Sequence, residues 1–286
     1  QKRCSSGIKE DKFRDFCSES IYKLTDKILS IMYMIDPNDL ESEDINIKKP
    51  HFYATSCMQS FFKLKSEDVF LRIKEYWQND MSIYYNAFCS MKKENPNSNV
   101  IVKPLNWMND HTLLLTISIF CRKTIIPNVL SFQLLSFFND YFDDGFIILR
   151  DYILGTCLHA FEVPKIVDTC LFCISLMYQR YPSFLNEDSL NIILQWTKEN
   201  MNITDPIIFF RILQLFSVLT HKNILAFLDP NVRLMILKSF DLIIELFSVA
   251  ISRPDSNISD IYKNSYALIR NLVYSSIIYT PIFDNS

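Results

Sequence analysis

The chain has 286 residues and is 49% hydrophobic, enough to bury a sizeable core as one elongated domain or two ordinary ones. A net charge of −3 gives no global electrostatic case for binding nucleic acid or an anionic membrane. It carries three glycines, where this length usually brings about 20; that scarcity argues against bulged sheets, phosphate-cradling loops and nucleophile elbows, and leaves an all-α class.

In chain order, residues 1–12 are polar. From Phe13 to Ile35 the apolar positions recur at three- and four-residue intervals, which predicts an amphipathic helix ended by Asp36-Pro37. The stretch 37–50 is acidic and then basic and reads as a mobile surface loop. Two helices are predicted over Phe52–Lys65 and Asp68–Lys92, with Asn79-Asp80 as a bend in the second. The polar run Lys92–Ser98, centred on Pro96, is the expected boundary between an N-terminal helical segment (1–94) and a helical-repeat region (95–286).

Beyond it, Asn109-Asp110 is expected to cap a helix over His111–Arg122, and Pro127 to open one reaching Asn139. Asp143-Asp144-Gly145 should cap a helix ending at Phe161, and Pro164 should start another running through Tyr178. Then a rhythm appears. Pro182, Pro206, Pro230 and Pro254 are 24 residues apart, with mostly apolar blocks between them. Aspartate precedes two of these prolines, combining a preferred N-cap with a preferred first helical residue. One helix and one connection per 24 residues predicts stacked antiparallel pairs, an α-solenoid. A last helix is expected over Ile258–Tyr279.

No apolar run reaches the 18 or so residues of a membrane span; Thr112–Cys121 stops at Arg122. The eight cysteines sit mostly inside apolar helical stretches, without framework spacing, and read as reduced core residues of an intracellular protein, cytoplasmic or nuclear. Sequons at Asn202 and Asn257 do not outweigh that reading. The chain opens on Gln1 with no apolar segment behind it, as expected of a processed or cut fragment.

Three constellations are candidates for chemistry. Cys170 and Cys173 form a CxxC, with Cys157 and His159 nearby, but a zinc site needs a second ligand pair and a redox site a βα context. Their neighbours Val167, Leu171, Phe172 and Ile174 favour a buried helix. Asp140, Asp143 and Asp144 resemble in miniature the Mg²⁺-diphosphate motif of all-α isoprenoid synthases, whose second motif has no counterpart here. The basic pairs Lys48-Lys49, Lys92-Lys93 and Arg122-Lys123 are short and separated, and read as solvated helix ends. No cofactor or metal is expected.

The run Thr112–Lys123, then Thr124–Phe138 with Pro127 at its helix start, then Asp143-Asp144 and the helix ending Gly155–Phe161, resembles an armadillo repeat. Within that superfamily it is most similar to the importin-α group, over about residues 110–161. The Gly-Ala of armadillo repeat starts is missing, and the 48-residue pair implied by the prolines suits HEAT repeats about as well, at roughly 40–47 residues. The resemblance implies an irregular HEAT/armadillo-like solenoid with a concave protein-binding groove. Importin-α grooves hold basic peptides with W-x-x-x-N pairs, and Trp196 and Asn200 have that spacing. Trp77 and Trp107 are further expected anchors.

The expected function is a non-catalytic scaffold or adaptor that binds another protein, as a peptide or helical segment. The alternatives are a nuclear-transport or chromosome-associated solenoid for basic peptides or nucleic acid, and an all-α Mg-dependent diphosphate enzyme.

Overall fold

A helix that is apolar on every side has to be internal. The segment Trp107–Cys121 is of this kind, and from His111 to Cys121 every residue except Leu115 is buried. A computed structural model describes residues 7–33, 50–94, 107–121, 152–160, 164–182, 185–203, 205–252, 263, 265–271, 273 and 274. Among them there is helix and short connection and no strand, so the chain is all-helical where it is described. It forms two compact units.

The first unit contains α1 (Gly7–Tyr33), α2 (Pro50–Leu64), α3 (Ser66–Glu94) and α4 (Trp107–Cys121). Helix α1 packs on the other three, α2 on α3, and α3 on α4. Lys65 alone separates α2 from α3, and α3 continues as one helix through Asn79-Asp80, where a bend or break was expected. Helix α4 also starts two residues before Asn109, so Asn109-Asp110 lie in its first turn and do not cap it.

Phe120 of α4 is the hub of the core. Its ring lies 4.9 Å from Phe70 and 5.8 Å from both Phe62 and Trp77. The hydroxyls that α4 takes inside are satisfied. Thr116 Oγ1 donates to Thr112 O at 2.9 Å, and Ser118 Oγ to Leu114 O at 2.7 Å. Thr112 Oγ1 donates to Met32 O at 3.2 Å, supplying a partner to a carbonyl at the end of α1. These contacts place α4 with the N-terminal helices, although the Lys92–Ser98 linker would have put it with the C-terminal group.

The second unit begins, among described residues, with a π-helical turn (Tyr152–Thr156) and a 3-10 turn (Cys157–His159), in place of the regular helix end expected there. It continues with α5 (Pro164–Arg180), α6 (Glu187–Asn200), α7 (Pro206–Leu219), α8 (Lys222–Phe227), α9 (Pro230–Lys238) and α10 (Phe240–Ser252), followed by helical residues 265–271. Helix α5 is the innermost, with buried side chains on all its faces. Its main partner is α7, while α6 packs on α9.

The prolines mark starts as their chemistry requires. Asp205 Oδ1 accepts from Ile207 N (2.8 Å) and Ile208 N (3.1 Å) ahead of α7, with Pro206 at its first position. Asp229 Oδ1 accepts from Asn231 N (2.8 Å) ahead of α9, with Pro230 first. One helix per 24 residues does not hold throughout. Pro182 precedes α6 by several residues, and Asn186 is the cap, accepting from Ser189 N at 2.9 Å. The interval from Pro206 ends in the short α8. The interval from Pro230 breaks at Ser239, whose N–H is shared between Met235 O and Ile236 O while its Oγ returns to Met235 O. Pro254 lies outside the described residues.

An arginine–aspartate pair clamps helices together in each unit. In the first, Arg72 of α3 forks onto Asp26 of α1, Nε to Oδ1 at 2.6 Å and Nη2 to Oδ2 at 2.9 Å. Tyr76 Oη donates to Asp26 Oδ1 at 3.2 Å, and burial followed by the Asp26 charge pushes the Tyr76 phenol up. In the second, Arg211 of α7 donates to Asp168 of α5 at 2.7 Å and stacks over Phe172, 4.6 Å from its centroid. Asp168 is 5% exposed and also accepts from Lys165 at 2.5 Å. Burial works to raise its pKa, but the two cations outweigh it and hold the carboxyl below its ordinary value.

Candidate binding surface

The residues expected to line a groove are largely inside. Trp77 is in the aromatic core of the first unit, 1% exposed, and its Nε1 donates to Thr116 Oγ1 at 2.8 Å. Trp196 is 2% exposed within the second unit. Asn200 turns back on its own helix, its Nδ2 donating to Trp196 O at 2.8 Å. The W-x-x-x-N spacing is here one helix turn closing its own C-terminal end, with Trp77 and Trp196 buried and Asn200 half-buried. The Trp107 side chain and Asp140, Asp143 and Asp144 lie outside what is described.

Cys170 and Cys173 are buried in α5, as their apolar neighbours implied, and Cys157 is buried close by in sequence while His159 is exposed. Cys170 Sγ donates to Ile153 O at 3.3 Å, tying α5 to the π-helical turn, and burial pushes its thiol well up. Such a thiol is a core residue, poor as a nucleophile or ligand. Among the described residues no group of three or more His, Cys, Asp or Glu side chains is placed to hold a metal.

What the second unit does present is an uncovered apolar helix face. Helix α10 is at least as apolar as α4. Yet α4 is enclosed, whereas α10 buries only Ile243, Leu246 and Ala250 and leaves Ile244 57% and Ile251 50% exposed. These two stand two turns apart on one face. Phe227 at the end of α8 is 77% exposed, and Ile192 on α6 and Ile207 at the start of α7 are exposed too.

Between α6 and the α9–α10 junction lies a cleft of about 400 Å³. Lys198, Lys238, Asp241 and Glu245 give it two charges of each sign. An exposed apolar residue beside mixed charge matches the composition of a partner-binding patch with its polar rim. The sequence carries a signal for this: the apolar arc of α10 is wide, and Ile244 and Ile251 fall at its edge, next to the polar face of Asp241, Glu245 and Ser248.

Comparison with protein-family models, with curated proteins and with solved structures returns no match.

Proposed function

We propose that the chain is a non-catalytic adaptor whose second unit binds another protein through the outer face of α10. The observation that carries this reading is the exposure of Ile244 and Ile251 beside the polar face of α10, a helix whose opposite side buries Ile243, Leu246 and Ala250. Phe227, Ile192 and Ile207 add apolar surface on neighbouring elements, and the charged cleft between α6 and α10 supplies a rim.

A solenoid arrangement of the HEAT/armadillo kind belongs to the same proposal. It is supported by contacts that skip sequence neighbours, α5 on α7 and α6 on α9, as in two stacked layers. The test is capture from native cell extract with the intact chain and with an Ile244→Glu/Ile251→Glu variant as baits. Both positions are exposed, so the variant should keep its helical circular dichroism, and the stoichiometric partner should disappear. A partner retained by the variant, or none captured by the folded parent, would refute it.

A further inference from the structure

A hollow of about 300 Å³ in the second unit is lined by His221, Arg270, Asn271 and Tyr274. Its floor is fixed. Asn271 is 6% exposed and its Nδ2 donates to Ser217 O at 2.8 Å, pinning residues 265–271 to the last turns of α7. Arg270 and Tyr274 line it one helix turn apart, and Tyr266 stands a further turn before Arg270 on the same face; all three are exposed.

Two of the lining side chains are exposed donors: Arg270 brings a guanidinium and Tyr274 a phenol. His221 caps α8, its Nδ1 accepting from Asn223 N at 3.3 Å. No carboxylate is among the described lining residues. The carbonyl end of α7 would repel an anion, and three of its oxygens are already hydrogen-bonded. Thr220 N–H and Oγ1 bond Phe216 O, Asn271 bonds Ser217 O, and His221 N–H bonds Val218 O. In a chain of net charge −3, a hollow edged by a cation and without a described carboxylate is a local arrangement.

We propose that this hollow binds one oxyanion, a carboxylate or a phosphate, carried on an acidic segment of the partner protein. The proposal rests on the adaptor reading and names the chemistry of its partner. Arginine pairs with either group in a bidentate fork, and Tyr266 and Tyr274 supply rigid amphipathic surface on both sides for the flanking chain. The volume lies at the small end of ligand sites, suited to one headgroup.

The experiment titrates the full chain with phenyl phosphate, with a hexaglutamate peptide and with a hexalysine peptide, following the arginine side-chain Nε–H resonances by NMR. Phenyl phosphate or hexaglutamate is expected to shift Arg270 and to leave Arg72 and Arg211, which already hold aspartates, in place. Whichever of the two binds more tightly identifies the source of the oxyanion. Arg270→Gln is expected to weaken that binding about tenfold, ~1.4 kcal/mol, and Arg270→Lys to restore it only in part. No shift at Arg270 into the millimolar range, equal binding of hexalysine, or affinity unchanged in Arg270→Gln would overturn the proposal. Anion binding at Arg270 in the Ile244→Glu/Ile251→Glu variant separates the two readings. If it persists while that variant keeps its partner, the adaptor face on α10 fails and the oxyanion site stands. If the partner is lost through α10 but Arg270→Gln changes nothing, the reverse holds.

Discussion

The Trp77 indole N–H donates to the Thr116 hydroxyl across 2.8 Å, joining α3 to α4 in the interior of the first unit. Thr116 Oγ1 in turn donates to Thr112 O, so one hydroxyl serves both helices. Thr116→Val keeps the shape and removes the acceptor. It is expected to cost about 1–3 kcal/mol, the penalty for a buried hydrogen bond left unmade. Trp77→Phe should cost a comparable amount, and the double variant less than the sum. Urea unfolding followed by tryptophan fluorescence measures the cycle; full additivity would show that the bond carries no coupling.

Asp168 ties α5 to α7 through Arg211. Its folded pKa lies below the ordinary aspartate value, so the ionised form is preferred in the folded state. The stability it contributes is therefore fully present above the unfolded pKa of about 3.9 and is lost as pH falls through the lower folded value. Asp168→Asn is expected to destabilise the second unit by about 1.5–3 kcal/mol at neutral pH. The variant should also lose less stability than the parent between about pH 4 and stronger acid. Melting temperature against pH for both proteins gives the answer, and parallel curves would contradict the assignment.

The two aspartate caps differ in reach. Asp205 accepts two backbone N–H groups and Asp229 one. Asp205→Ala is expected to cost about 1 kcal/mol and Asp229→Ala the same or less, near the low end of cap substitutions at ~0.5 kcal/mol. Hydrogen exchange at Ile207 and Ile208 should accelerate in Asp205→Ala only, while exchange in α5 stays as in the parent.

Thiol labelling separates surface from core. Cys57 is exposed, whereas Cys170 is buried, bonded to Ile153 O and pushed to a higher pKa. A maleimide at neutral pH should modify Cys57 promptly and Cys170 only on the timescale of unfolding. Peptide mapping by mass spectrometry against time reads both, and equal rates would mean that α5 is not the interior helix of its unit.

Much of the helix plan was legible in local chemistry. Asp205-Pro206 and Asp229-Pro230 announce α7 and α9 because a cap acts on its own next three residues. Pro164 opens α5 because its fixed φ and missing N–H suit the first helical position. What was not legible is what long-range contact decides. Nothing near Thr112 in the sequence says that its hydroxyl reaches Met32 O, or that Phe120 fills the space between Phe62, Phe70 and Trp77. The four-residue spacing of Trp196 and Asn200 fits a groove pair and a single helix turn alike, and the bond from Asn200 to Trp196 O is of the second kind. Helices α4 and α10 differ in a way the sequence does show: α4 has no polar side along its buried length, whereas α10 keeps Asp241, Glu245, Ser248 and Ser252 on one face and turns Ile243, Leu246 and Ala250 inward.

The place of α4 has a consequence for synthesis. The first three helices leave the ribosome with Phe62, Phe70 and Trp77 still lacking the Phe120 ring that they surround. Their unit cannot close until Cys121 has emerged, a delay of a few seconds at roughly 5–20 residues per second. A fragment ending at Glu94 would stay in that waiting state for good, with its aromatic side chains open to any chaperone or sticky neighbour. Any shortened form of this protein should therefore keep the first unit whole, to Asp143.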